Sequence, residues 1–394
     1  MSQAAGARLL IDFYFAHPVG HVIEALRYAL GYHRADPALG IGLVLNGRSP
    51  TELASLVPYV EACYPVGDSL DFLRGGDARR AIAHVPREWD WVVDDARRDH
   101  PGLRAMFPGL AAYYTAADTH FLATRARGVA GATPPAYLPH QQVVLDLPEA
   151  SRAHARRRLG GRRPAIAVMP GGSDLRAMYP SAASWEKILR ALATQHPDAV
   201  FCLVGKLATA DGRTSTQFTR GEIARLLRAV ERGVDVFDLP LVDQLAIVEA
   251  CEVFIAPHTG FGMAALAVGT PWLALSGNRW PEYFYNQVPF YSVLPDPGRF
   301  PCYQQLEPGP PLVADRDGEG PRSPSMCADR IDDDLDELLH AAGLLIGRRL
   351  SYEQAMVGHF RRVQRFFHGR APLIWSVDDA HADYVDASTP AQGR

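Results

Sequence analysis

The stretch that decides the fold runs from Val234 to Trp280 and reads VDVFDLPLVDQLAIVEACEVFIAPHTGFGMAALAVGTPWLALSGNRW. A helical pattern over Val242–Ala250 precedes a continuous apolar run at Val253–Ala256, which predicts a buried strand. A Thr-Gly-Phe-Gly turn then opens a second helical segment, and a further apolar run ends at Ser276-Gly277. This order predicts a unit of parallel sheet. Because the first N–H groups of a helix lack intrahelical acceptors, the turn is a candidate anion site, typically for a phosphate.

The same alternation of strands and helices extends through both halves of the chain. In the first half it predicts strands at Leu9–Phe15 and Ile41–Asn46 and helices at Gly20–Tyr32 and Pro50–Ala62. A strand at Ala165–Met169 starts the pattern again. Alternation of this kind implies a mostly parallel sheet covered on both faces, so the fold class is α/β with two doubly wound, Rossmann-like domains. We expect ligands in the cleft at the carboxyl ends of their strands.

Length and local composition predict the domain organisation. The 394 residues exceed one ordinary core and suit two domains of roughly 150 to 200 residues. We expect an N-terminal domain over 1–150 and a C-terminal domain over 151–330. Residues 331–394 are expected to form helices that cross back to the N-terminal domain, followed by a polar tail. Prolines and an arginine cluster predict a hinge and linker within 134–164, and Pro295–Pro324 is expected to be a surface loop.

Composition excludes several classes of protein. The formal net charge of −4 gives no basic field, so nucleic acid and acidic lipid are not expected partners. Five widely spaced cysteines without a C-x-x-C pair fit a reducing compartment and exclude a zinc knuckle, and Cys202 and Cys251 lie in apolar runs typical of a core. The first apolar run, Leu9–Ala16, is interrupted by Asp12 and does not resemble a signal peptide or a membrane span. A cytoplasmic protein without an integral membrane segment is therefore expected.

The loop after the first strand, His17-Pro18-Val19-Gly20-His21, is a candidate catalytic site. A histidine at the amino end of a helix is kept neutral by the helix dipole and is able to accept a proton. His21 is the first candidate base because Gly20 allows a ligand to approach the backbone and His21 begins the helix. His17 and then Asp12 are the next candidates. The alternative is that both histidines only cap or pack the turn.

A second glycine turn, Pro170-Gly171-Gly172-Ser173, follows the strand Ala165–Met169 directly. Gly-Gly permits close approach of the backbone, and Ser173 and Arg176 add a hydroxyl and a positive charge for phosphate oxygens. The arrangement is repeated at His258-Thr259-Gly260-Phe261-Gly262 in the same domain. Two such turns at one cleft would hold both phosphates of a diphosphate without a metal ion. The alternative is that they are only turns.

Motifs of several other enzyme classes are missing from the sequence. The only good match to the Asp-x-Asp pair that is typical of metal-dependent sugar-nucleotide enzymes is Asp315-Arg316-Asp317, in a stretch that we interpret as a solvated loop. The run Asp332–Asp334 is interpreted as a helix cap. No Walker loop, G-x-S-x-G elbow or H-E-x-x-H helix is present. No metal or other cofactor is therefore expected.

Several of these motifs together resemble a known family. The marks are GGS-x-x-R-x-x-YP-x-x-x-W over Gly171–Trp185, the strand end Leu-Val-Gly-Lys at Lys206, and the apolar strand with its His-Thr-Gly-Phe-Gly turn. Residues from about Ala165 to Trp280 resemble the donor-binding domain of GT-B glycosyltransferases, most closely the heptosyltransferase-like group, glycosyltransferase family 9. The resemblance implies a GT-B fold, with two domains facing across a cleft. It also implies that a nucleoside-diphosphate sugar is bound by the residues Gly171, Gly172, Ser173, Thr259 and Gly260, with the loops after Lys206 and Asp238 beside ribose and base.

Some positions depart from the pattern of that family. His21 stands where the family usually has an aspartate base, His258 where it has an aspartate that contacts the donor sugar, and Arg176 replaces a lysine. The resemblance therefore implies a donor other than ADP-heptose. Candidate sugar or acceptor contacts are His258, Phe261, Gly20, Asn278, Arg279 and Glu282.

The activity implied is transfer of a sugar to an acceptor hydroxyl, with inversion and without a metal, His21 taking the proton. One alternative is a sugar-nucleotide epimerase on the same fold, which would need no acceptor and usually carries carboxylates in its cleft. A different alternative is a non-catalytic protein that binds a nucleotide or a sugar.

Overall fold

The structure is a computed structural model that describes residues 6–15, 18–67, 70–71, 73–99, 104–105, 107–207, 213, 215–277, 286–302 and 310–366. The chain divides into two units by its internal contacts. Unit 1 ends at Asp146 and unit 2 begins at Leu147, close to the predicted boundary at residue 150. Each unit contains a parallel sheet with helices, which confirms the predicted α/β class.

Unit 1 is built on five parallel strands in the order β3-β2-β1-β6-β7. The strands of unit 1, including a short antiparallel pair β4 and β5, are β1 Arg8–Phe13, β2 Gly40–Asn46, β3 Ala62–Val66, β4 Leu70–Asp71, β5 Gly75–Gly76, β6 Glu88–Asp94 and β7 Leu122–Val129. Its helices are α1 Val19–Ala35, α2 Ala78–Ile82 and α3 Pro108–His120. The continuous apolar runs of β1 and β2 are buried almost throughout, as expected of central parallel strands.

One helix predicted in unit 1 is replaced by shorter structure. The segment predicted as a helix over Pro50–Ala62 forms only a 3₁₀ helix at Thr51–Leu56. Val57 is extended, with φ −131° and ψ 138°. It precedes Pro58, whose ring disfavours helical backbone at the residue before it. The chain therefore leaves the helix early and enters β3.

Unit 2 contains a six-stranded sheet in the order β10-β9-β8-β11-β12-β13, all of it parallel. The strands are β8 Ala165–Val168, β9 Val200–Leu203, β10 Gly233–Asp235, β11 Val253–Pro257, β12 Trp272–Leu275 and β13 Phe290–Val293. The helices are α4 Glu149–Leu159, α5 Ala182–Gln195, α6 Arg220–Arg228, α7 Leu241–Glu249, α8 Gly260–Ala267, α9 Ala328–Ile346 and α10 Tyr352–Phe366. Cys202 and Cys251 are buried in this unit, as predicted.

Two segments predicted as irregular contain ordered structure. The predicted linker 134–164 includes α4, which ends at Gly160 in the left-handed conformation with φ 59°. Arg152 of α4 donates to Glu249 of α7 over 2.9 Å, which fastens this helix to unit 2. In the predicted loop Pro295–Pro324, a bridge joins Val313 to Arg322. Arg152 and Glu249 are 97 positions apart, so the sequence alone does not reveal their contact.

The C-terminal helices pack within unit 2. Four apolar side chains of α10 are buried, namely Ala355, Met356, Phe360 and Val363. The run Asp332–Asp334 lies inside α9 and not at its cap, because this helix already begins at Ala328. That the C-terminal helices cross back to the N-terminal domain stays a prediction. Among the described residues no helix combines the length and the apolar character that crossing a membrane requires.

Candidate functional site

The strand order of unit 2 creates a topological switch point between β8 and β11. From β8 the sheet continues to β9 and β10 on one side, and from β11 to β12 and β13 on the other. The connections after these two central strands therefore lead away in opposite directions, which opens a crevice at their carboxyl ends. Both predicted glycine turns lie here. A methyl group at Gly172 would come within 3.1 Å of the Thr259 side chain, so the structure brings the two turns into contact.

Aromatic residues determine the shape of the loop Pro170–Asp174. The indole of Trp185 donates to the Pro170 carbonyl over 2.8 Å. The Tyr179 hydroxyl accepts a hydrogen bond of 3.0 Å from the Asp174 amide. At Gly171, an added Cβ would lie 2.9 Å from the Phe218 ring and 3.0 Å from the Tyr179 ring, so this close contact of ring and backbone needs a glycine. The Tyr-Pro and Trp positions of the sequence motif thus hold the glycine loop.

The amides of this loop are available to a ligand. Within the described part of the chain, the N–H groups of Gly171, Gly172 and Ser173 have no hydrogen-bond acceptor. Gly171 and Gly172 are buried, whereas Ser173 is exposed. Consecutive backbone N–H groups at the carboxyl end of a parallel strand form a concave site for an anion.

The second turn presents the amino end of α8 to the same crevice. Thr259 is the N-cap residue, with φ −145° and ψ 151°, and its side chain makes no capping hydrogen bond. The hydroxyl instead lies 4.0 Å from the Met169 sulfur. The Gly262 amide donates to the Thr259 carbonyl over 3.0 Å. The first N–H groups of a helix otherwise lack intrahelical acceptors, and the dipole places partial positive charge at this end. Thr259 and Gly260 therefore occupy the position that an oxyanion prefers.

Two residues predicted to contact the donor pack α8 on the sheet. Phe261 is buried, and its ring lies 5.4 Å from that of Phe254. A Cβ at Gly262 would lie 2.3 Å from the Trp272 ring, which is sterically impossible without movement. The glycine thus lets the helix approach the sheet closely.

The Arg176 side chain is bonded to neighbouring groups of unit 2. Its guanidinium donates to the Pro180 carbonyl over 2.8 Å and to Glu222 over 3.1 Å, and its central carbon lies 3.6 Å from the centre of the Phe218 ring. Burial lowers the pKa of Arg176 from its ordinary value, partly offset by Glu222. The structure therefore uses this predicted phosphate ligand to join the turn after the glycine loop to α6.

The other predicted donor residues lie near the ends of β9 and β11. Lys206 is half-buried just after β9, and its carbonyl accepts from the Thr216 amide over 2.8 Å. The amide of the preceding Gly205 donates to the Gln244 side chain, and the same side chain donates to the Gly205 carbonyl. His258 lies 6.1 Å from the Trp272 ring. The predicted sugar or acceptor contacts Asn278, Arg279 and Glu282 lie outside the described residues.

Unit 1 has its own switch point between β1 and β6. His21 lies in the first turn of α1, where its amide donates to the Pro18 carbonyl over 3.1 Å. Its half-buried ring is 5.0 Å from that of Phe15. Gly20 is buried beside it, and His17 lies outside the described residues. The first predicted base is thus at the carboxyl edge of this sheet.

A buried charged network at the same edge was not predicted. Asp12, the next candidate base, is fully buried at the end of β1 and accepts a 2.6 Å hydrogen bond from Tyr113. Burial, with the nearby Asp94, raises the pKa of Asp12 well above its usual value. Asp94 binds Arg98 and Arg127. The sequence signal was the presence of aspartates at the ends of two apolar strands, and their burial argues for a structural role.

Carboxylates near unit 2 are not grouped as metal ligands. Across the described ranges, no group of three or more His, Cys, Asp or Glu side chains is arranged to hold a metal ion. Asp315, interpreted from the sequence as part of a solvated loop, has a side chain that is only 1% exposed and pairs with Arg322 at 2.7 Å. Metal independence stays a prediction.

Comparison with known proteins places the fold. No protein-family model and no curated protein matches the sequence. A glycosyl transferase family 9 structure from Veillonella parvula is similar at 12% identity and a TM-score of 0.56, covering 86% of this chain and 99% of that one. E. coli heptosyltransferase WaaC, solved with ADP-2-deoxy-2-fluoro heptose, is similar at 14% identity and a TM-score of 0.50, covering 84% and 99%. The chain has the GT-B fold of these heptosyltransferase-like structures.

Proposed function

We propose that this protein is a glycosyltransferase that moves a sugar from a nucleoside-diphosphate sugar to an acceptor hydroxyl. The observation that carries the proposal is the contact between two glycine turns at the switch point of unit 2, where Gly172 approaches Thr259. Backbone N–H groups of both turns suit the two phosphates of a diphosphate. The GT-B fold, shared with a family 9 glycosyltransferase and with WaaC, supports the same activity.

The mechanism we propose is a direct displacement with inversion at the anomeric carbon. His21 takes the proton from the acceptor hydroxyl as the oxygen attacks, and the nucleoside diphosphate departs with the electron pair of the glycosidic bond. The amino end of α8 and the amides of Gly171 and Gly172 stabilise the charge that develops on the leaving phosphate. This stabilisation requires no metal ion.

The donor differs from ADP-heptose in this proposal, because the turn before α8 carries His258 where the family pattern has an aspartate. A neutral or protonated imidazole and a carboxylate offer sugar hydroxyls different hydrogen-bond partners. The acceptor hydroxyl is left open. The proposal keeps a cytoplasmic location, which is favoured by five free cysteines.

The first experiment measures thermal stabilisation of the full chain by ADP, GDP, UDP, CDP and dTDP, each with magnesium and with EDTA. A nucleotide at about a hundred times its Kd adds roughly 2.7 kcal/mol to the free energy of unfolding. One base that stabilises equally in EDTA supports the proposal and identifies the donor nucleotide. No response to any of them would contradict it.

The second experiment offers the corresponding nucleotide sugars with and without acceptor extracts and follows the products by NMR. Release of nucleoside diphosphate with an inverted glycoside supports transfer. Conversion of the sugar nucleotide to an epimer without an acceptor would identify an epimerase. Tight binding without turnover under any condition would favour a non-catalytic binding protein.

A further inference from the structure

The segment Val313–Cys327, here called the strap, is built into unit 2 by buried polar contacts. The backbones of Val313 and Arg322 exchange two hydrogen bonds of 2.8 Å. Inside this bridge Asp315 and Arg322 form an ion pair of 2.7 Å, and both side chains are only 1% exposed. Asp315 also accepts from the Ala328 amide over 3.0 Å, which joins the strap to the start of α9. Removing one partner of a buried ion pair is costly, because the other charge is left buried without compensation.

The strap binds the turn that follows the glycine loop. The Arg322 guanidinium donates to the Tyr179 carbonyl over 2.6 Å and to the Arg176 carbonyl over 3.3 Å. The Ser323 amide donates to the Ala177 carbonyl over 2.9 Å. The strap thus binds carbonyls of the 3₁₀ turn Arg176–Met178 and of the next residue, Tyr179.

The other end of the strap is fastened at β12. The Ser325 hydroxyl donates to the Gly277 carbonyl over 2.8 Å. A Cβ at Gly277 would lie 2.1 Å from the terminal methyl of Met326, so the strap lies directly against this backbone. It therefore connects the segment after β8 with the residue that follows Ser276 at the end of β12.

Glu319 in the middle of the strap binds the amino end of α5. Its carboxylate accepts from the Ala182 amide over 2.7 Å and the Ala183 amide over 3.1 Å, and it pairs with Arg225 at 2.6 Å. A carboxylate at this position offsets the helix dipole. Since α5 carries Trp185, whose indole holds the Pro170 carbonyl, the strap constrains the glycine loop through this helix as well.

We propose that the strap sets the conformation of the Pro170–Asp174 loop and that Arg322 is a positioning residue for the diphosphate of the donor, an inference that rests on the proposed function. Arg322 holds the Tyr179 carbonyl, and the Tyr179 hydroxyl holds the Asp174 amide. The same hydroxyl lies 3.0 Å from the Cβ position of Gly172. Through Tyr179, the position of Arg322 thus affects the loop amides, although Arg322 itself does not touch the ligand.

The test compares wild type with Arg322→Met and with the double variant Arg322→Met/Asp315→Asn. The single change leaves Asp315 buried without its cation, whereas the double change removes both charges and so spares the fold that penalty. The matched control is Arg330→Met. Arg330 is also buried and donates to the Ser276 and Val293 carbonyls, but within the described part of the chain it makes no bond to the Arg176–Tyr179 turn.

Amide hydrogen exchange of peptides covering Gly171–Leu175 is measured without ligand, together with thermal unfolding and the Kd of the nucleoside diphosphate that stabilises wild type. Exchange at Asp174 is expected to be about tenfold faster in both Arg322 variants and unchanged in the control, because its hydrogen bond depends on Tyr179. The Kd is expected to rise about fivefold or more, again only in the Arg322 variants.

Wild-type exchange at Asp174 in the double variant would overturn the inference, as would an equal rise in exchange in Arg330→Met. If wild type binds no nucleoside diphosphate, the proposed function fails, while the exchange measurement still decides whether the strap positions the loop.

Discussion

Tyr179→Phe removes one oxygen from the centre of the candidate donor site. The ring is only 6% exposed and packs against Gly171, so phenylalanine should keep the packing. The hydroxyl accepts the 3.0 Å hydrogen bond from the Asp174 amide, and this bond is lost. A net hydrogen bond contributes about 0.5–1.5 kcal/mol. If that energy orders the loop amides for the ligand, affinity for the nucleoside diphosphate falls by about 2- to 12-fold, since 1.4 kcal/mol is a factor of ten.

Calorimetric titration of wild type and variant with the nucleoside diphosphate gives the two Kd values. The matched control is Tyr291→Phe, which removes a hydroxyl hydrogen-bonded to Glu337 over 2.9 Å in the same unit. Both variants should lose similar stability in urea, but only Tyr179→Phe should bind more weakly. The reasoning is refuted if Tyr179→Phe binds as wild type does, or if Tyr291→Phe loses as much affinity.

Three further changes test other parts of the chain. Gly262→Ala should destabilise unit 2 by about 1–3 kcal/mol in urea unfolding because its Cβ overlaps the Trp272 ring, while Gly221→Ala, with no atom nearer than 3.9 Å, should not destabilise it. Burial, opposed by Arg97, raises the pKa of Glu24 to about 7. The folded protein therefore binds this proton more tightly than the unfolded chain, and the free energy of unfolding should fall as pH rises from the ordinary glutamate range through about 7. Glu24→Gln should remove this part of the pH dependence. His21→Asn should lower turnover about 10²- to 10⁴-fold with donor Kd unchanged; full turnover would exclude His21 as the base.

The sheets were predictable because parallel strands buried on both faces are nearly continuous apolar runs. Val253–Ala256 and Ala165–Met169 are such runs, and the structure has strands at Val253–Pro257 and Ala165–Val168. The glycine turns after these strands were also predictable, because the chain must turn between a strand and the helix that follows it. Their contact across the switch point required the strand order, which a single sequence does not contain.

The role of Arg176 shows what sequence could not provide. From its distance to Gly171 it was predicted to bind phosphate, yet its guanidinium pairs with Glu222, which is 46 positions away. The strap was missed for a related reason. Its Pro, Gly and Asp content is typical of a solvated loop, and the pairing of Asp315 with Arg322 depends on a buried site formed by distant carbonyls. Polar side chains report burial poorly until their partners are known.

Among the described residues, two arginines beside this crevice are already paired with carboxylates. Arg176 is neutralised by Glu222, and Arg225 is shared between Glu186 and Glu319. A flexible lysine can follow a displaced phosphate, whereas an amide points where the loop conformation directs it. Affinity for a diphosphate should therefore depend on residues that fix the loop without contacting the ligand. Tyr179 and Arg322 are the residues through which that dependence can be measured.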